Sequence, residues 1–493
     1  MKYFLKREVA YNYDKYCINE MQVPSQILME NAAHSTFNEI MQLKEIESVK
    51  NILILCGSGN NGGDGFALAR YLSNKFNIEI YFNSDIEEMS NETLTNYKIC
   101  KNLDISIHNE IKKQNYDLII EAMTGIGVVE NIHSKLSTIL KNVNNLKGLK
   151  IALDTPAGLN ADTGIANIDA FRADYTFTMF APKPGLFIND GQEVSGKVIS
   201  ISLGIPDKYL NDFTSIKAFE KQDWELLIKP RKQNTSKFDY GIISIIAGSK
   251  NMLGAGVLSA NSAITAGAGL VHLITTERHS SLLPEVICHC FEQNKYGSLP
   301  LKYLNEILEA IDKSDTIAIG PGISNDPEIL HLVHKIIENN QEKRIILDAD
   351  ALKCIDSDSQ LSQNFIITPH IGEFAKITNL ERTFIENNRL DLVEEWSKKL
   401  NCTILLKGNP SLISNNRKIN LNLTGNSGLA TAGSGDVLTG ILSATYSRYK
   451  DPLFSATLAA FVHGELADNY IKKYSKSSLT ASKIIDELKS YEI

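Results

Sequence analysis

The sequence lacks three features that would mark other classes of protein. It has no excess of basic residues, because its 493 residues carry a formal net charge of −8, and we therefore expect no nucleic-acid partner. No apolar run approaches the roughly 20 residues that a membrane helix needs, and the first residues show neither the apolar core nor the cleavage site of a signal peptide. We expect a cytoplasmic protein that acts on small molecules and not at a membrane.

Cysteine is also sparse, with seven residues and no Cys-x-x-Cys pair. The one tight cluster, Cys288-His289-Cys290, has no second pair of ligands to complete a zinc site. We interpret the cysteines as reduced and mostly buried thiols. His331 and His334 have helical spacing but no third ligand nearby in the sequence, and we assign no metal to either group.

The length and composition predict several ordinary globular domains. With 43% hydrophobic and 22% charged residues, the chain is long enough for roughly two to four of them. Strand-like runs alternate with helical stretches, from residues 51–56 to 198–203 and again from 241–247 to 403–407. This alternation predicts an α/β fold with mostly parallel sheets. The polar stretch 207–222 is the predicted domain boundary.

The run GSGNNGGDG, from Gly57 to Gly65, is the most informative segment. It follows an apolar strand-like run and opens into a helical one, so its glycines and the helix start could bring backbone N–H groups to an anion. A glycine turn without function and a plain nicotinamide dehydrogenase are the alternatives. A dinucleotide fingerprint does not require Asn60, Asn61 or Asp64. Their presence indicates that the loop also takes part in chemistry or binds an ion.

Two acids stand at other predicted strand ends, where ligands bind in open parallel sheets. Glu121 precedes Gly125-Ile-Gly127, and Asp154 precedes Thr-Pro-Ala-Gly158. Each could be a cap or loop residue. Asn61 and Glu121 also offer hard oxygens suited to a Group 1 or 2 cation, whereas Asp154 could exchange a proton with a bound substrate.

The segments GSGNNGGDGFALAR, EAMTGIG and LDTPAGLNADTG together resemble the epimerase domain of the NAD(P)H-hydrate repair enzymes over residues 1–213. The resemblance implies a Rossmann-like α/β/α sandwich that interconverts the R and S forms of NADHX and NADPHX, the hydrates of NADH and NADPH. It implies substrate binding by Asn60, Asn61, Gly62, Gly63, Asp64, Gly125, Ile126, Gly127, Val128, Val129, Glu130, Asn131 and Asp154, with Asp154 catalytic.

The same resemblance implies a potassium ion (K⁺) at Asn61, Glu121 and Ala157. The chain departs from the family pattern at two of these positions, because the family usually has Asp where Glu121 stands and Ser where Ala157 stands. Glutamate can still coordinate a cation, with a longer reach. Ala157 could supply only its backbone carbonyl.

In the second half, the string from Thr424 to Gly440 places small residues before an apolar helical stretch. Gly433 and Gly435 would let backbone amides approach a phosphate, and Asp436 would then lie in the first turn of the helix. A carboxylate there could be structural, stabilised by the helix dipole, or it could act as a general base on a substrate hydroxyl. The string resembles the ribokinase-like superfamily, in which the Asp of a GxGD loop activates the hydroxyl that receives phosphate.

A second glycine string, from Gly191 to Val198, satisfies GxxxxGK but does not predict a phosphate loop. It ends in Val where a P-loop has Ser or Thr, and it precedes a predicted strand instead of opening a helix. We interpret it as a chance match.

Further segments narrow the resemblance to the nucleotide-dependent NAD(P)H-hydrate dehydratase domain over residues 220–493, a ribokinase-like α/β domain. They include Gly320-Pro-Gly322, Leu347-Asp-Ala-Asp350, Thr368-Pro-His370-Ile-Gly-Glu373 and Leu406-Lys407-Gly408. The resemblance implies that the hydrate contacts Ala255, Gly322, His370 and Asp436, and that ADP or ATP, with Mg²⁺, contacts Lys407, Gly408, Asn409, Pro410, Ser411 and Gly435. His370 could instead be a helix N-terminal residue without a ligand, and Lys407 a solvated cation.

Together the two resemblances predict a bifunctional enzyme. An isomerase domain would equilibrate the two epimers, and a lyase domain would return the S form to NADH or NADPH at the expense of ADP or ATP. A ribokinase-like kinase fused to an oxidoreductase is one alternative, and a first half that only binds or scaffolds is another. The family also suggests a homo-oligomer.

Overall fold

The computed structural model describes residues 1–113, 115–127 and 132–493. Four predicted substrate-binding residues, Val128, Val129, Glu130 and Asn131, lie outside the described residues. The chain divides into two compact units, which are Lys2–Ile216 and Lys217–Ile493 together with Met1. We call them the first unit and the second unit.

The first unit has a central sheet flanked by helices. Its strands are β1 (Lys2–Tyr3), β2 (Asn51–Cys56), β3 (Asn77–Tyr81), β4 (Ser106–His108), β5 (Asn115–Ala122), β6 (Lys147–Leu153), β7 (Tyr175–Met179) and β8 (Lys197–Ile201), and β9 (Ile216–Ala218) lies at the boundary. Its helices are α1 (Arg7–Asn19), α2 (Ser25–Met41), α3 (Asn60–Leu72), α4 (Asn91–Asn102), α5 (Ser134–Asn144) and α6 (Gly191–Val194). Seven strands form a parallel sheet in the order β4-β3-β2-β5-β6-β7-β8.

Strand β2 shows why this sheet lies in the middle of the unit. Its sequence is apolar without alternation, as expected for a parallel strand that is covered on both faces. Ile52 and Ile54 pack into one buried cluster, whereas Leu53 and Leu55 pack into another. Successive side chains of a strand point to opposite faces, so helices are needed on both sides of the sheet. The strand order reverses between β2 and β5, which is where ligands bind in such sheets.

The second unit is also α/β. Its strands are β10 (Ile242–Ile246), β11 (Leu270–Thr275), β12 (Ile287–Cys290), β13 (Thr316–Ile319), β14 (Arg344–Leu347), β15 (Phe365–Ile367), β16 (Thr403–Leu406), β17 (Ser411–Asn415) and β18 (Lys418–Asn422). Its helices are α7 (Lys221–Leu227), α8 (Leu253–Thr265), α9 (Leu304–Ile311), α10 (Pro327–Asn339), α11 (Ile371–Thr378), α12 (Arg382–Asn387), α13 (Arg389–Lys399), α14 (Ser434–Tyr449), α15 (Pro452–Ile471) and α16 (Ala481–Leu488).

These nine strands are neighbours in the order β18-β17-β16-β15-β14-β13-β10-β11-β12. The prediction of a mostly parallel sheet is confirmed from β12 to β16, but β16, β17 and β18 form antiparallel pairs that the sequence did not predict. The hairpin was missed because β17 and β18 are short and contain several Ser and Asn residues, which are rare in strands.

Helix α14 lies in the core of the second unit and packs closely against α8. Gly440 makes this approach possible, because a Cβ atom there would overlap Ser262 Oγ and the Ser259 carbonyl. The Ser259 hydroxyl also donates a hydrogen bond of 3.0 Å to the Asp436 carbonyl. The first turn of α14 is thereby held beside α8, which begins with the predicted substrate-binding segment.

The fold bears on two further points, the interpretation of the GxxxxGK string and the question of a membrane helix. Lys197 of the GxxxxGK string begins strand β8, not a helix, which confirms that the string is not a P-loop. In the parts of the chain that the structure describes, we find no helix with the length and apolar character required to cross a membrane.

Candidate active sites

The glycine-rich loop of the first unit runs from the end of β2 to the start of α3, as predicted. A Cβ atom at Gly57 would overlap the Met123 carbonyl, so this glycine is needed for close packing. Gly59, the N-cap of α3, has no atom within 4 Å of where its Cβ would lie. The loop is therefore open at Gly59, where a ligand can approach the first backbone N–H groups of the helix.

Asn61 lies in the first turn of α3 with an unusual amide group. Its Oδ1 and Nδ2 atoms are buried, and neither has a hydrogen-bond partner within the described residues. The Cγ atom lies 3.2 Å from the position that a Cβ of Gly125 would take, which places Asn61 beside the predicted substrate loop. A buried amide without a partner is costly, so this group is suited to a ligand.

Glu121, at the end of β5, is completely buried. Its Oε1 atom accepts a hydrogen bond of 2.6 Å from the Met123 N–H, and Oε2 accepts one of 2.9 Å from the Ala157 N–H. Burial raises the pKa of Glu121 to about 7, although these backbone N–H groups act in the opposite direction. The carboxyl group is thus bound to the backbone of its own unit.

Two of the three residues in the potassium site that the resemblance implies already have backbone partners. Ala157 has no side-chain oxygen, and its carbonyl already accepts a hydrogen bond of 2.9 Å from the Phe171 N–H. Both oxygens of Glu121 accept backbone N–H groups as well. Of the three residues, only Asn61 presents an oxygen without a partner among the described residues.

Glu121 makes the stability of the protein depend on pH in a predictable direction. Its pKa is about 7 in the folded chain, against an ordinary value of 4.5, so between these values the folded state keeps a proton that the unfolded state releases. The free energy of unfolding should therefore fall by about 3 kcal/mol as the pH rises through this window. Denaturant unfolding at pH 4.5 and pH 8 should show a much smaller fall for Glu121→Gln. An equal fall in both proteins would contradict the assignment.

Asp154 follows β6 in a left-handed backbone conformation, with φ of +66°. Its Oδ1 atom accepts a hydrogen bond of 3.1 Å from the Met179 N–H and forms an ion pair with the Lys183 ammonium. Lys183 is only 2% exposed and also donates to Thr178 Oγ1 and to the Met179 carbonyl, each at 3.1 Å. Lys183 was not predicted as a site residue, although it too follows the carboxyl end of a strand, in this case β7.

Asp64 lies in the same group of charges as Asp154. Burial, together with the charges of Asp154 and Asp14, raises the pKa of Asp64 well above its usual range, and Lys183 opposes the shift only in part. The environment that disfavours ionisation of Asp64 differs from that of Asp154, which is paired with the Lys183 ammonium. Two carboxyl groups in such different environments can serve as acid and base for one substrate.

In the second unit, several predicted residues follow the carboxyl ends of parallel strands, and the others lie in the first turns of α8 and α14. Gly322, after β13, has a φ of +64°, and a Cβ there would lie 2.9 Å from that of Ala255 in α8. His370, after β15, forms a parallel bridge with Lys407, after β16. The backbone carbonyl of Asp436 accepts a hydrogen bond from Ser259 in α8. The structure thus brings Ala255 together with Gly322, and His370 together with Lys407.

Helix α14 begins after Gly433, whose φ is +82°, and has Asp436 in its first turn, as predicted. Burial, followed by the negative charge of Asp348, raises the pKa of Asp436 to about 6, with Lys407 acting in the opposite direction. Lys407 Nζ lies 3.8 Å from the position that a Cβ of Gly435 would take. A carboxylate that titrates close to neutral pH and a lysine therefore lie at the same helix N-terminus, which is the setting of a general base beside an anion site.

The Asp348 carboxylate positions the Lys407 ammonium at the N-terminus of α14. No role was predicted for Asp348 from the sequence. Asp348 is 2% exposed, and its two oxygens accept hydrogen bonds of 2.8 Å from Lys407 Nζ and 2.7 Å from Thr439 Oγ1. Burial opposes ionisation, yet the charge of Lys407 and these hydrogen bonds keep the pKa of Asp348 below its ordinary value. The same carboxylate raises the pKa of Lys407, so the ammonium is permanently charged near pH 7.

Of two histidines in the second unit, His370 was predicted as a site residue and His463 was not. His370 is the N-cap of α11, and its Nδ1 atom accepts hydrogen bonds of 2.9 Å and 3.2 Å from the N–H groups of Gly372 and Glu373. His463, in the apolar helix α15, was not predicted at all. Its Nε2 atom lies 3.2 Å from Ser434 Oγ, and burial lowers its pKa to about 4. A neutral His463 therefore supports the turn that begins α14.

The fold and the two sites define a class: an enzyme that joins a Rossmann-like unit to a nucleotide-dependent unit with ribokinase-like topology. A ribokinase-like superfamily protein from Enterococcus faecalis shares the second fold, with a TM-score of 0.51, 23% identity and coverage of 56% of this chain and 95% of that one. The family model described as NAD(P)H-hydrate dehydratase matches residues 243–490, and the model described as YjeF-related protein N-terminus matches residues 25–185.

Relatives match almost the whole length of the chain. The bifunctional NAD(P)H-hydrate repair enzyme of Dictyoglomus turgidum is 35% identical over 94% of this chain and 93% of its own length. The Escherichia coli enzyme of the same name is 29% identical over 88% and 84%. The chain belongs to the family of bifunctional NAD(P)H-hydrate repair enzymes. It is an isomerase that interconverts the R and S hydrates of NADH and NADPH, and a lyase that dehydrates the S form at the expense of ADP or ATP.

Proposed function

We propose that epimerisation takes place in the first unit, with Asp154 and Asp64 as the proton-transferring pair, and that dehydration takes place in the second unit, with Asp436 as the base. The observation that carries the second assignment is the position of Asp436 in the first turn of α14, at the helix N-terminus where the Lys407 ammonium also lies. Burial, which raises the pKa of Asp436 to about 6, supports it. The opposed environments of Asp64 and Asp154 support the first assignment.

Epimerisation requires one bond at the hydrated carbon to break and form again. Water adds to an enamine at the carbon next to nitrogen, so the hydrate is a hemiaminal. As its ring opens, the hydroxyl must lose a proton and the nitrogen must gain one. We assign the first transfer to Asp154 and the second to Asp64, whose ionisation is disfavoured by burial. Asn61, with its unpartnered buried amide, would bind the substrate alongside them.

Dehydration is difficult because hydroxide is a poor leaving group. Asp436 would remove the proton of the ring hydroxyl while the hydroxyl oxygen attacks the terminal phosphoryl group of ATP or ADP, which releases ADP or AMP. Departure of phosphate, with loss of a proton from the adjacent ring carbon, would then restore the C=C bond of the dihydropyridine ring. The N–H groups at Gly433 to Gly435 would stabilise the developing charge. Residues 407–411 would hold the nucleotide, with Lys407 on its phosphates.

Mg²⁺ binds one or two carboxylates together with substrate phosphates. The ion would enter the second unit with the phosphates of the nucleotide and neutralise part of their charge. The hydrate would contact Ala255, Gly322 and the exposed edge of His370.

The direct test is recovery of dihydronicotinamide absorbance from a mixture of R and S hydrates of NADH, with Mg²⁺ and either ADP or ATP, at a pH where spontaneous epimerisation is slow. Full recovery that depends on the nucleotide would support both activities and identify the donor. Recovery of the S fraction alone would rule out catalysis by the first unit. A stable phosphorylated product would indicate a kinase instead.

Epimerisation should proceed without potassium, because Glu121 is bound to backbone N–H groups and Ala157 offers no oxygen without a partner in the described part of the chain. We expect equal R-to-S rates in potassium, sodium and choline buffers of the same ionic strength. Glu121→Asp with Ala157→Ser restores the family pattern and serves as the comparison. A large activation of the unmodified enzyme by potassium alone would contradict this prediction.

A further inference from the structure

Arg389 is a buried cation that none of the predicted roles uses. It is the first residue of α13 and is 4% exposed. Its Nη1 atom donates a hydrogen bond of 3.2 Å to the Asn409 carbonyl, and Nη2 donates one to the Pro410 carbonyl. Both acceptors belong to residues 407–411, which form the connection between β16 and β17 together with the first residue of β17. We call this segment the nucleotide hairpin.

The backbone of the nucleotide hairpin packs closely around the Arg389 guanidinium. A Cβ atom at Gly408 would overlap Arg389 Nη2, so a glycine at this position leaves room for the arginine. Ser411 Oγ donates a hydrogen bond of 3.1 Å to the Gly408 carbonyl. Three successive carbonyls, those of residues 408, 409 and 410, are therefore held by side chains.

The orientation of these carbonyls determines which way the neighbouring N–H groups of the nucleotide hairpin point. In a trans peptide the N–H group points away from the C=O group of the same plane. The Pro410 carbonyl is directed at Arg389, which turns the Ser411 N–H away from α13. A planar guanidinium presents its donors to two neighbouring carbonyls in a fixed fork, whereas a lysine ammonium carries three rotatable donors on a flexible stem.

Arg389 also places a positive charge under the hairpin. Burial lowers its pKa to about 10, so it remains protonated near pH 7, and Glu386 favours the charged form. Its Nε atom is buried and has no hydrogen-bond partner in the described parts of the chain. A desolvated guanidinium with an unpaired donor is expensive for a purely structural residue, since an apolar side chain could fill the same space.

We propose that Arg389 is a positioning residue for the adenine nucleotide: it fixes the nucleotide hairpin in the conformation that binds the phosphates, and its charge adds to that of Lys407. This inference rests on the proposed function, because it requires residues 407–411 to hold ADP or ATP. Arg389 acts through the hairpin and does not touch the hydrate.

The test is steady-state dehydration of the S hydrate by the full-length enzyme, with nucleotide and hydrate varied separately. Arg389→Lys keeps the charge but loses one of two charged hydrogen bonds, so the nucleotide KM should rise about 10- to 100-fold. The hydrate KM and kcat at saturating nucleotide should stay within about twofold of the unmodified enzyme, which is the split expected for a loss of ground-state binding. Arg417→Lys, at the exposed far end of the β17–β18 hairpin, is the matched control and should change neither KM.

Two further variants make the outcome decisive. Gly408→Ala should raise the nucleotide KM with Arg389 intact, because its methyl group displaces the guanidinium. Lys407→Ala tests the proposed nucleotide site itself. If Lys407→Ala raises the nucleotide KM and Arg389→Lys does not, the role of Arg389 is wrong and the site assignment stands. If neither variant changes it, the nucleotide site lies elsewhere and both ideas fail. A fall in thermal stability with an unchanged nucleotide KM would also reject the positioning role.

Discussion

Replacing Asp436 with asparagine should lower kcat for dehydration by about 10²- to 10⁴-fold, the range expected for loss of a general base. Asparagine is nearly isosteric but cannot accept the hydroxyl proton. Nucleotide binding should persist, because Lys407 keeps its partner Asp348. The measurement is single-turnover recovery of dihydronicotinamide absorbance from purified S hydrate with saturating nucleotide, so that epimerisation does not contribute.

The ionisation of Asp436 should also be visible in the pH profile of the unmodified enzyme. A base must be deprotonated to act, so kcat/KM for dehydration should fall as the pH drops through about 6, the pKa that burial and the charge of Asp348 give to Asp436. This acidic limb should be absent from the residual activity of Asp436→Asn.

A surface variant of the same unit controls for the loss of one carboxylate. Asp358→Asn, in an exposed turn, should leave kcat, KM and the pH profile unchanged. Dehydration at a normal rate by Asp436→Asn would remove Asp436 from the mechanism. Loss of nucleotide binding in the same variant would indicate a structural role for the carboxylate.

Replacing Asp154 with asparagine should abolish R-to-S conversion, with a loss of about 10²- to 10⁴-fold, while dehydration of pure S hydrate continues at the normal rate. The reason is again the loss of a proton acceptor. The measurement is the amplitude of absorbance recovery from mixed hydrates. Only the S fraction should return within the time of the assay.

Asp154→Asn also leaves the buried Lys183 without its counter-ion, which is expected to destabilise a protein by about 3–5 kcal/mol. The double variant Asp154→Asn with Lys183→Met removes both charges and should recover most of that stability without recovering epimerisation. Asp85→Asn, in an exposed segment of the same unit, is the matched control. Undiminished epimerisation by a folded Asp154→Asn enzyme would exclude Asp154 as a catalytic group.

Much of the fold was predictable because its signals are local. An apolar run followed by glycines and a helical stretch is enough to place β2, the loop and α3, and the same holds for the turn before α14. The antiparallel strands β17 and β18 were missed because pairing with β16, not their own composition, makes them strands. Burial and pairing in the folded chain outweighed local propensity there.

The potassium prediction shows a different limit. The substitutions at Glu121 and Ala157 are visible in the sequence, but their consequence depends on a hydrogen bond to the Ala157 carbonyl from Phe171, which is remote in sequence. The sequence could list possible oxygen ligands. It could not show which of them the fold had already used.

The family, the α/β class, the two glycine-rich loops, Asp154 and Asp436 can all be recognised in the amino-acid sequence, because each depends on residue types at short spacing along the chain. The pairing of Lys183 with Asp154, the contact of Asp348 with Lys407 and the support of the nucleotide hairpin by Arg389 are visible only in the folded protein. Each of them depends on burial and on neighbours that folding brings together from distant parts of the chain.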